Sequence, residues 1–414
     1  MTPNFQFDIK NIKNISSPEK KMRQESLKLF NNVGFPNKRS EEWKFTDLNK
    51  IISENFKKLA PINALANKKN IKLIKNFEHN YIILINGMLS ENNFKHEEKN
   101  KINISDYKSE SIQIKDSKNP LINLNNALSQ GGYFLEVSEN YKLKKPLIVY
   151  NFFTEDLKNQ IINNKNLIIL NNKCEINIIE INFDDSRDNF IFNNCTDISI
   201  GENSLLKNYS IQGCNSKGLF YKFIKGNLKK NSKYEDYIFT SGLKFNKIEE
   251  EINIDGEEGS CTIQSALFLE KDSHQEIKTL INHLKPNCKS YQKIKNVLNE
   301  NCIGAYQGKI FVKDISQKTD AYQLSKALLL KDTSEFNAKP ELEIYADDVK
   351  CSHGSTSGSM NEDSIYYLMT RGLSRKSAIE LLTKAFLLEI VNSISNIDIK
   401  KFIEENLDRQ IYGY

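Results

Sequence analysis

Hydrophobic and polar positions follow three different patterns along the chain. Up to residue 130, short helical signals are separated by polar stretches. From 131 to 358, short β-branched and aromatic runs alternate with Asn, Gly and Ser turns, and from 359 to 414 apolar residues recur at helical spacing. These patterns predict a mainly β protein with an N-terminal helical region and linker (1–130), a β core (131–358) and a C-terminal helical region (359–414).

A turn-like unit recurs within the β core. It begins at Asn172, Asn203, Asn231 and Gly259, in steps of 31, 28 and 28 residues. Such near-constant spacing of strand-plus-turn units favours a solenoid, in which each unit buries its apolar face on its neighbours. A β-sandwich is the alternative, because periodicity in one sequence does not determine topology.

The repeat also bears on the cysteines. Cys174 and Cys261 take the same position in their units as Leu205, so we expect these two thiols to be stacked inside the core rather than to bind metal. The chain has seven cysteines and lacks a CxxC pair. Together with the absence of a signal-peptide pattern, this predicts free thiols in a reducing cytoplasm.

Capping residues predict where the main helices begin. Ser16 and Glu19 form a capping box for the first helix, and Ser374 caps a long C-terminal helix. Asn361 favours the start of a short helix before it, and Asp398 the start of the last one. We expect most of the apolar stripe of the long helix to pack on the chain's own core, and binding of a partner is the alternative. The stripes comprise Ile365, Leu368 and Met369 in the short helix, and Ala378, Leu381, Leu382, Ala385, Phe386, Leu388 and Val391 in the long one.

Three conspicuous residues are interpreted as structural. Trp43, the single tryptophan, is expected to be a packing anchor. His274 and His283 lie nine positions apart with Cys288 following, so they could approach each other on successive strands. A hydrogen-bonded structural role explains them at least as well.

Composition and motifs limit the possible functions. The chain has 58 basic and 53 acidic residues, a net charge of +5, which is too small to indicate nucleic acid or an acidic membrane as partner. We find no stretch near the ~20 apolar residues that cross a bilayer. The sequence contains no G-x-x-x-x-G-K-[ST], HExxH or nucleophile-elbow motif, which argues against an ATPase or hydrolase site in this chain.

The chemistry concentrates in residues 340–360. Apolar positions alternate up to Ala346, and the parity changes after Asp347 and Asp348, which predicts a bulge or bend in one strand. Beyond it, Cys351 and His353 share one face at i and i+2. A thiol beside an imidazole suits iron, zinc or copper. The alternative is that Cys351 fills the core as a small apolar residue.

The same segment resembles a known family. PELEIYADDVKCSHGSTSG, followed by SIYYLMTRGLSRKSAIELLTKAF, resembles the C-terminal signature of the SufB/SufD family of iron–sulfur cluster scaffold subunits, and most closely its SufD branch. Weaker similarities occur at Glu41–Leu48, Leu124–Val137 and His274–Gln323. The resemblance implies a right-handed parallel β-helix flanked by helical regions, and a non-catalytic subunit of a SufBCD complex in iron–sulfur cluster assembly.

The resemblance also implies partners and site residues. Leu342 and Ile344 would lie in the 340–355 edge that pairs with a SufB-like subunit, where Cys351 and His353 would share a transient iron–sulfur cluster. The C-terminal helices, with Arg371-Gly372 between them, would dock a SufC-like ATPase. His353 is the stronger ligand candidate, because neutral imidazole can bind iron or relay a proton near pH 7.

One departure favours the SufD branch. Where SufB-like chains carry a cysteine implicated in holding the cluster, this chain has SKALLL (325–330), with apolar Leu328 at about that place. A cluster typically needs ~4 protein ligands. Cys351 and His353 alone therefore predict a site completed by a partner.

Two alternatives from other classes stay open. One is a β-helix enzyme acting on polysaccharides, although we identify no carboxylate-and-base groove. The other is a homodimeric structural protein in which Cys351 is inert. Flavin binding by the assembled complex and homodimer formation by the isolated chain are also open at this point.

Overall fold

The chain is mainly β, as predicted. A computed structural model describes residues 5–10, 12, 15–62, 71, 73–107, 118–213 and 216–413. Strands make up 47% and helices 21% of it, and a parallel β-solenoid of about 8 turns carries helices at its N-terminal and C-terminal sides. The predicted solenoid is therefore confirmed, and the alternative β-sandwich is excluded. Residues 60–80 are rich in lysine and are interpreted as a linker. Of these, residues 63–70 and 72 lie outside the described residues.

In the part of the chain that the structure describes, six α-helices flank the solenoid, and the predicted capping residues begin three of them. The backbone N–H of Glu19 donates to Ser16 Oγ at 3.3 Å, that of Ser364 to Asn361 Oδ1 at 2.9 Å, and that of Ser377 to Ser374 Oγ at 3.0 Å. The last helix starts one residue before Asp398, where Asn396 is the cap. The helices are α1 (Ser17–Val33), α2 (Leu48–Asn55), α3 (Pro120–Leu128), α4 (Glu362–Thr370), α5 (Arg375–Val391) and α6 (Ile397–Tyr412), with a 3-10 turn at Glu41–Trp43.

The strands wind alternately through two sheets. They are β1 (Ala60–Pro61), β2 (Asn80–Ile85), β3 (Met88–Asn93), β4 (Ile102–Asp106), β5 (Tyr133–Val137), β6 (Leu147–Phe153), β7 (Gln160–Leu170), β8 (Glu175–Asp184), β9 (Phe190–Ile200), β10 (Leu205–Gln212), β11 (Ser216–Leu228), β12 (Lys233–Ser241), β13 (Leu243–Ile254), β14 (Ser260–Leu269), β15 (His274–His283), β16 (Lys289–Leu298), β17 (Ile303–Val312), β18 (Thr319–Leu329), β19 (Glu335–Ile344) and β20 (Val349–Ser359).

Each sheet contains ten strands and grows by one strand per turn of the solenoid. The first sheet joins β1, β4 and the odd-numbered strands from β5 to β19, and the second joins β2, β3 and the even-numbered strands from β6 to β20. Pairing is parallel throughout, except for the β2–β3 and β4–β5 pairs at the first turns. β3 and β4 lie in a stretch whose polar composition predicted no strand.

Turn residues in the left-handed region make the corners. Asn203, Asn231, Asn287 and Asn301 all have φ between 51° and 60°, a conformation that asparagine tolerates better than most residues. Neighbouring corners also bond to each other, because Asn231 Nδ2 donates to Asn203 Oδ1 at 2.8 Å. The asparagine-rich turns that marked the repeat are therefore the corners of the solenoid.

Apolar side chains form three layers. The largest cluster lies between the two sheets. A second cluster packs α1, α2 and α3 on the outer face of the first sheet, and a third packs α5 and α6 on the outer face of the second. The expectation that α5 packs mainly on the chain's own core is confirmed for Ala378 and Val391, both buried, whereas Leu381 is exposed.

The two cysteines expected to be stacked are both interior but not in one column. Cys174 and Cys261 are buried in the central cluster. The register, however, places Cys261 opposite Tyr234 and Ser290, while Leu205 lies opposite Glu175 and Lys233 and is only half-buried. Relative to Leu205, Cys174 lies one residue earlier and Cys261 one residue later in the register, so Leu205 points to the other face of its strand and the two cysteines are two positions apart on the same face.

Within the described residues, none of the helices combines the length and the apolar character that a bilayer span requires.

Candidate functional site at the last turn of the solenoid

The segment singled out in the sequence forms the last turn of the solenoid. β19 ends the first sheet and β20 ends the second, and a turn at 345–348 joins them. We call β19, this turn and β20 the terminal rung. The change of parity at Asp347 and Asp348 is therefore a bend at the corner between two strands in two sheets. Of the two predicted alternatives, the bend is confirmed and the bulge is not. Lys318 N donates to Asp348 O at 2.6 Å and holds this corner on the preceding turn.

Cys351 and His353 lie on the same face of β20, as predicted. They are in register with Ala321 and Gln323 on β18, both of which are buried inside the solenoid. Side chains in register on adjacent parallel strands point to the same face. Because the described chain places no further turn over β20, Cys351 is half-buried and His353 is exposed.

A polar floor lies one turn beneath His353. Gln323 Nε2 donates to Glu341 O at 3.1 Å, which ties the second sheet to β19 in the first. The hydroxyl of Tyr306 lies 3.2 Å from Gln323 Oε1 and 3.0 Å from Gln292 Oε1. Gly308 leaves room for this arrangement, because a Cβ there would collide with both Tyr306 Oη and Gln323 Oε1.

The terminal rung carries a thiol and an imidazole, two side chains of different chemical character. Partial burial raises the pKa of the Cys351 thiol, so its proton is held more tightly than in an exposed cysteine. Binding to a metal requires the thiolate and would release that proton. Across the described ranges, no group of three or more His, Cys, Asp or Glu side chains is arranged to hold a metal ion.

Leu342 and Ile344 lie on the neighbouring edge strand, in register with buried Ile310 and Val312. Leu342 is half-buried against the last apolar cluster, and Ile344 is 38% exposed. Both continue apolar columns of the solenoid interior to its uncovered end. The structure thus brings four of the nominated residues, Leu342, Ile344, Cys351 and His353, to one end of the molecule.

Two family models match almost the whole chain. The first, described as the SUF system FeS cluster assembly SufBD core domain, matches residues 152–386, and the second, the SufBD protein N-terminal region, matches residues 5–149. The chain belongs to the SufBD family. The core match covers more than half of the chain and includes both strands of the terminal rung.

Relatives in the SufBD family match this chain over most of their own lengths. An iron-sulfur cluster assembly SufBD family protein of Synechocystis is 27% identical over 90% of this chain and 86% of its own length. The iron-sulfur cluster assembly protein SufD of Escherichia coli is 23% identical over 94% and 92%. The SufD protein of Bacillus subtilis is 23% identical over 72% and 68%. The chain is thus a SufD-like member of the SufBD family.

Arg371 and Gly372 lie in an exposed turn between α4 and α5, one short helix beyond the end of the terminal rung. The Arg371 guanidinium stacks on the Tyr367 ring at 5.2 Å from its centroid, and Gly372 has φ +94°. Both residues of the turn are exposed. The turn borders an apolar patch that the sequence reading missed: Tyr366, Tyr367, Met369, Leu373 and Leu381 are all exposed.

The patch arises because α4 packs on α5 rather than on a sheet. Ile365 is the one buried residue of α4. Of the other two residues in its predicted apolar stripe, Leu368 is half-buried and Met369 is exposed. The tyrosine pair at 366–367 could have revealed this exposure in the sequence. Adjacent residues of a helix point in different directions, so the two rings could not both lie on the side that packs on α5.

Trp43 is a packing anchor, as predicted, and it sits in a buried charged network. Its ring stacks on Tyr221 and lies 4.2 Å from Lys247 Nζ. Lys247 Nζ also contacts Glu276 Oε1 at 2.5 Å, and Thr46 links Glu276 to His274. This network attaches the N-terminal region to the first sheet.

His274 and His283 do not form a metal site together. They lie at opposite ends of β15, a single ten-residue strand, roughly 30 Å apart at 3.3 Å per residue. The alternative in which they approach each other on successive strands is therefore excluded. His283 Nε2 lies 2.9 Å from Ser290 Oγ, and burial lowers the pKa of His283 to about 4. Both histidines are hydrogen-bonded structural residues.

Proposed function

We propose that this chain is the SufD-like scaffold subunit of a SufBCD-type complex, and that Cys351 and His353 take part in holding a transient iron–sulfur cluster at its junction with a SufB-like subunit. The supporting observation is the position of this pair. Both residues lie on the uncovered last turn of the solenoid, with their side chains on its interior face, where another subunit can reach them. The cluster is cargo here and not a resident cofactor, and no catalytic step is assigned to the chain.

Pairing with a SufB-like subunit would cover the terminal rung. β19 and β20 are edge strands, and an edge presents unpaired backbone groups that template a further strand. Leu342 and Ile344 would extend their apolar columns into the partner. Because two ligands fall short of the ~4 that a cluster takes, the partner would supply the others.

Docking of a SufC-like ATPase would use the exposed patch around α4 and the Arg371-Gly372 turn. An uncovered group of Tyr, Met and Leu side chains with an arginine at its border has the composition of a protein interface. Nucleotide binding by the ATPase could then shift the junction between the scaffold subunits, provided that it binds one state more tightly.

The proposal is tested by co-expressing the chain with SufB-like and SufC-like subunits, purifying the complex and reconstituting it anaerobically with iron and sulfide. We expect a stable complex with the absorption of a bound cluster. Failure of the three chains to co-purify would contradict the assignment.

Docking of the ATPase needs a surface variant, because α5 and α6 bury many apolar residues on the second sheet and their removal would expose it. Tyr367→Asp should abolish co-purification with the SufC-like subunit. Ile397→Asp is the matched control, since Ile397 is 80% exposed at the start of α6, outside the patch. Equal binding by wild type and Tyr367→Asp would refute the docking surface.

A further inference from the structure

The two edge strands of the terminal rung are not equivalent as templates for another strand. In a parallel ladder, alternate residues direct their backbone N–H and C=O to opposite neighbours. The residues whose groups point away from the chain can therefore be identified on β19 and on β20. Their identities differ in a way that bears on how a partner binds.

On β19, the odd-numbered residues bond to β17. Glu335 N donates to Cys302 O at 2.8 Å, and Tyr345 N donates to Val312 O at 2.9 Å. The even-numbered residues therefore face the free edge, and the middle one of these is Pro340. Proline has no N–H, so the free edge of β19 lacks a donor at its centre. Proline at such a position is a common means of blocking strand addition.

On β20, the parity is reversed. Asp320 N on β18 donates to Cys288 O at 3.0 Å, so the even-numbered residues of β18 bond to β16 and its odd-numbered residues bond to β20. In the observed register those bonds go to the even-numbered residues of β20, and its odd-numbered residues face the free edge. Each of the latter carries an N–H, and together they form an uninterrupted row of donors and acceptors. The row comprises Cys351, His353, Ser355, Ser357 and Ser359. Val349 lies outside it, because its N–H donates to Asp347 O at 3.2 Å within the corner.

Charge separates the two edges in the same direction. β19 carries Glu335, Lys339, Glu341 and Glu343, whereas Lys350 is the one residue with a permanently charged side chain in β20. Charged side chains on an edge strand oppose pairing, and a long uncharged exposed edge favours it. β20 is eleven residues long and is exposed at most of its positions.

The outer face of β20 is also uncovered at its two glycines. A Cβ on Gly358 would meet no atom of the described chain within 4 Å, and one on Gly354 would meet Leu324 Cδ1 at 3.4 Å, an ordinary contact. Neither glycine is required by a positive φ. Glycine in a strand permits close approach of another backbone.

We propose that the SufB-like partner adds its strand to β20 and not to β19. The inference rests on the proposed pairing of the two subunits and specifies which sheet is continued by backbone hydrogen bonds. β19 would contribute side-chain contacts through Leu342 and Ile344. The backbones of Cys351 and His353 would then be held by the partner strand, while their side chains face the interior of the joined solenoid.

The test compares two proline substitutions at free-edge positions. Ser357→Pro removes an outward N–H from β20, and Ala338→Pro removes one from β19, each without deleting a hydrogen bond of the chain's own ladder. We expect Ser357→Pro to weaken binding of the purified SufB-like subunit at least about tenfold, because it removes a hydrogen bond and blocks the strand sterically. Ala338→Pro should leave the affinity within about twofold of wild type.

Thermal unfolding of both variants checks the fold, and Ser359→Pro, at the end of β20, is the second variant should Ser357→Pro be unstable. An Ala338→Pro effect as large as that of the β20 variant would overturn the selection of β20. So would full binding by both β20 variants. These outcomes differ from failure of the proposed function, in which the wild-type chain itself does not bind the SufB-like subunit.

Discussion

The hydroxyl oxygen of Tyr306 lies 3.2 Å from Oε1 of Gln323, across the gap between the two sheets and one turn beneath His353. Both residues are fully buried. Gln323 in turn donates to the backbone of Glu341 in β19. The floor of the candidate site is therefore polar, and it ties together the final strands of both sheets.

Substitution of Gly308 tests how tightly this floor is packed. Gly308→Ala should lower the free energy of unfolding by about 1–3 kcal/mol, because the new methyl group collides with both Tyr306 Oη and Gln323 Oε1. Gly358→Ala, in open space on β20, is the matched control and should leave it within about 0.5 kcal/mol. Chemical unfolding of the isolated chain measures both, and equal stabilities would show that the floor yields without strain.

The buried ion pair beneath Trp43 should be costly to break from one side. Lys247→Met leaves the carboxylate of Glu276 buried without its cation, which we expect to cost about 3–5 kcal/mol of unfolding free energy. The double variant Lys247→Met/Glu276→Gln removes both charges and should be distinctly more stable than the single one. Urea unfolding gives both values, and a double variant no more stable than Lys247→Met would contradict this account.

Docking of α5 on the second sheet should weaken in acid. Hydrogen bonds from Lys293 and Lys295 lower the pKa of Glu389 to about 2. A lowered pKa stabilises the folded state above the unfolded value of about 4.3, and this contribution is lost as the pH falls from there through 2. Because Glu389 is half exposed, solvent screening limits the contribution to about 1 kcal/mol.

Thermal unfolding of wild type and Glu389→Gln against pH checks this contribution. The wild type should be more stable at neutral pH, and the two curves should converge in acid. A difference that is independent of pH would show that the Glu389 charge is not responsible.

Cys351 should be the accessible thiol of the described chain. Of the six cysteines in the described ranges, the other five are buried. Because its pKa is raised, alkylation should be slow at neutral pH and should accelerate above the usual thiol pKa of about 8.5. Mass spectrometry after brief iodoacetamide treatment measures this. Faster labelling of Cys174 or Cys261 would contradict the assigned burial.

Much of the fold could be predicted from local pattern. Turn chemistry at Asn203 and Asn231 revealed the repeat, and side-chain caps such as Ser16 and Ser374 marked the starts of helices. These signals act within a few residues. The column positions of Cys174 and Cys261 could not be obtained in this way, because register depends on pairing between strands almost thirty residues apart.

The candidate site could also be predicted only in part, because only some of its features depend on local sequence. The i, i+2 spacing of Cys351 and His353 determines a shared face whatever the sheet does around it. In the sequence, the corner at Asp347 and Asp348 cannot be told from a bulge, because a corner and a bulge each change the parity of the apolar positions. The polar floor of Tyr306 and Gln323 has no local signal, because it forms between two sheets.

The central claim is that His353, at the open end of the solenoid, takes part in holding the cluster. The most direct measurement is the iron content of the anaerobically reconstituted complex containing His353→Ala, with Ser352→Ala, whose side chain faces the opposite side of β20, as the control. We predict a severalfold loss of bound iron for His353→Ala alone, with unchanged complex formation and thermal stability. Iron content equal to that of wild type would contradict the account.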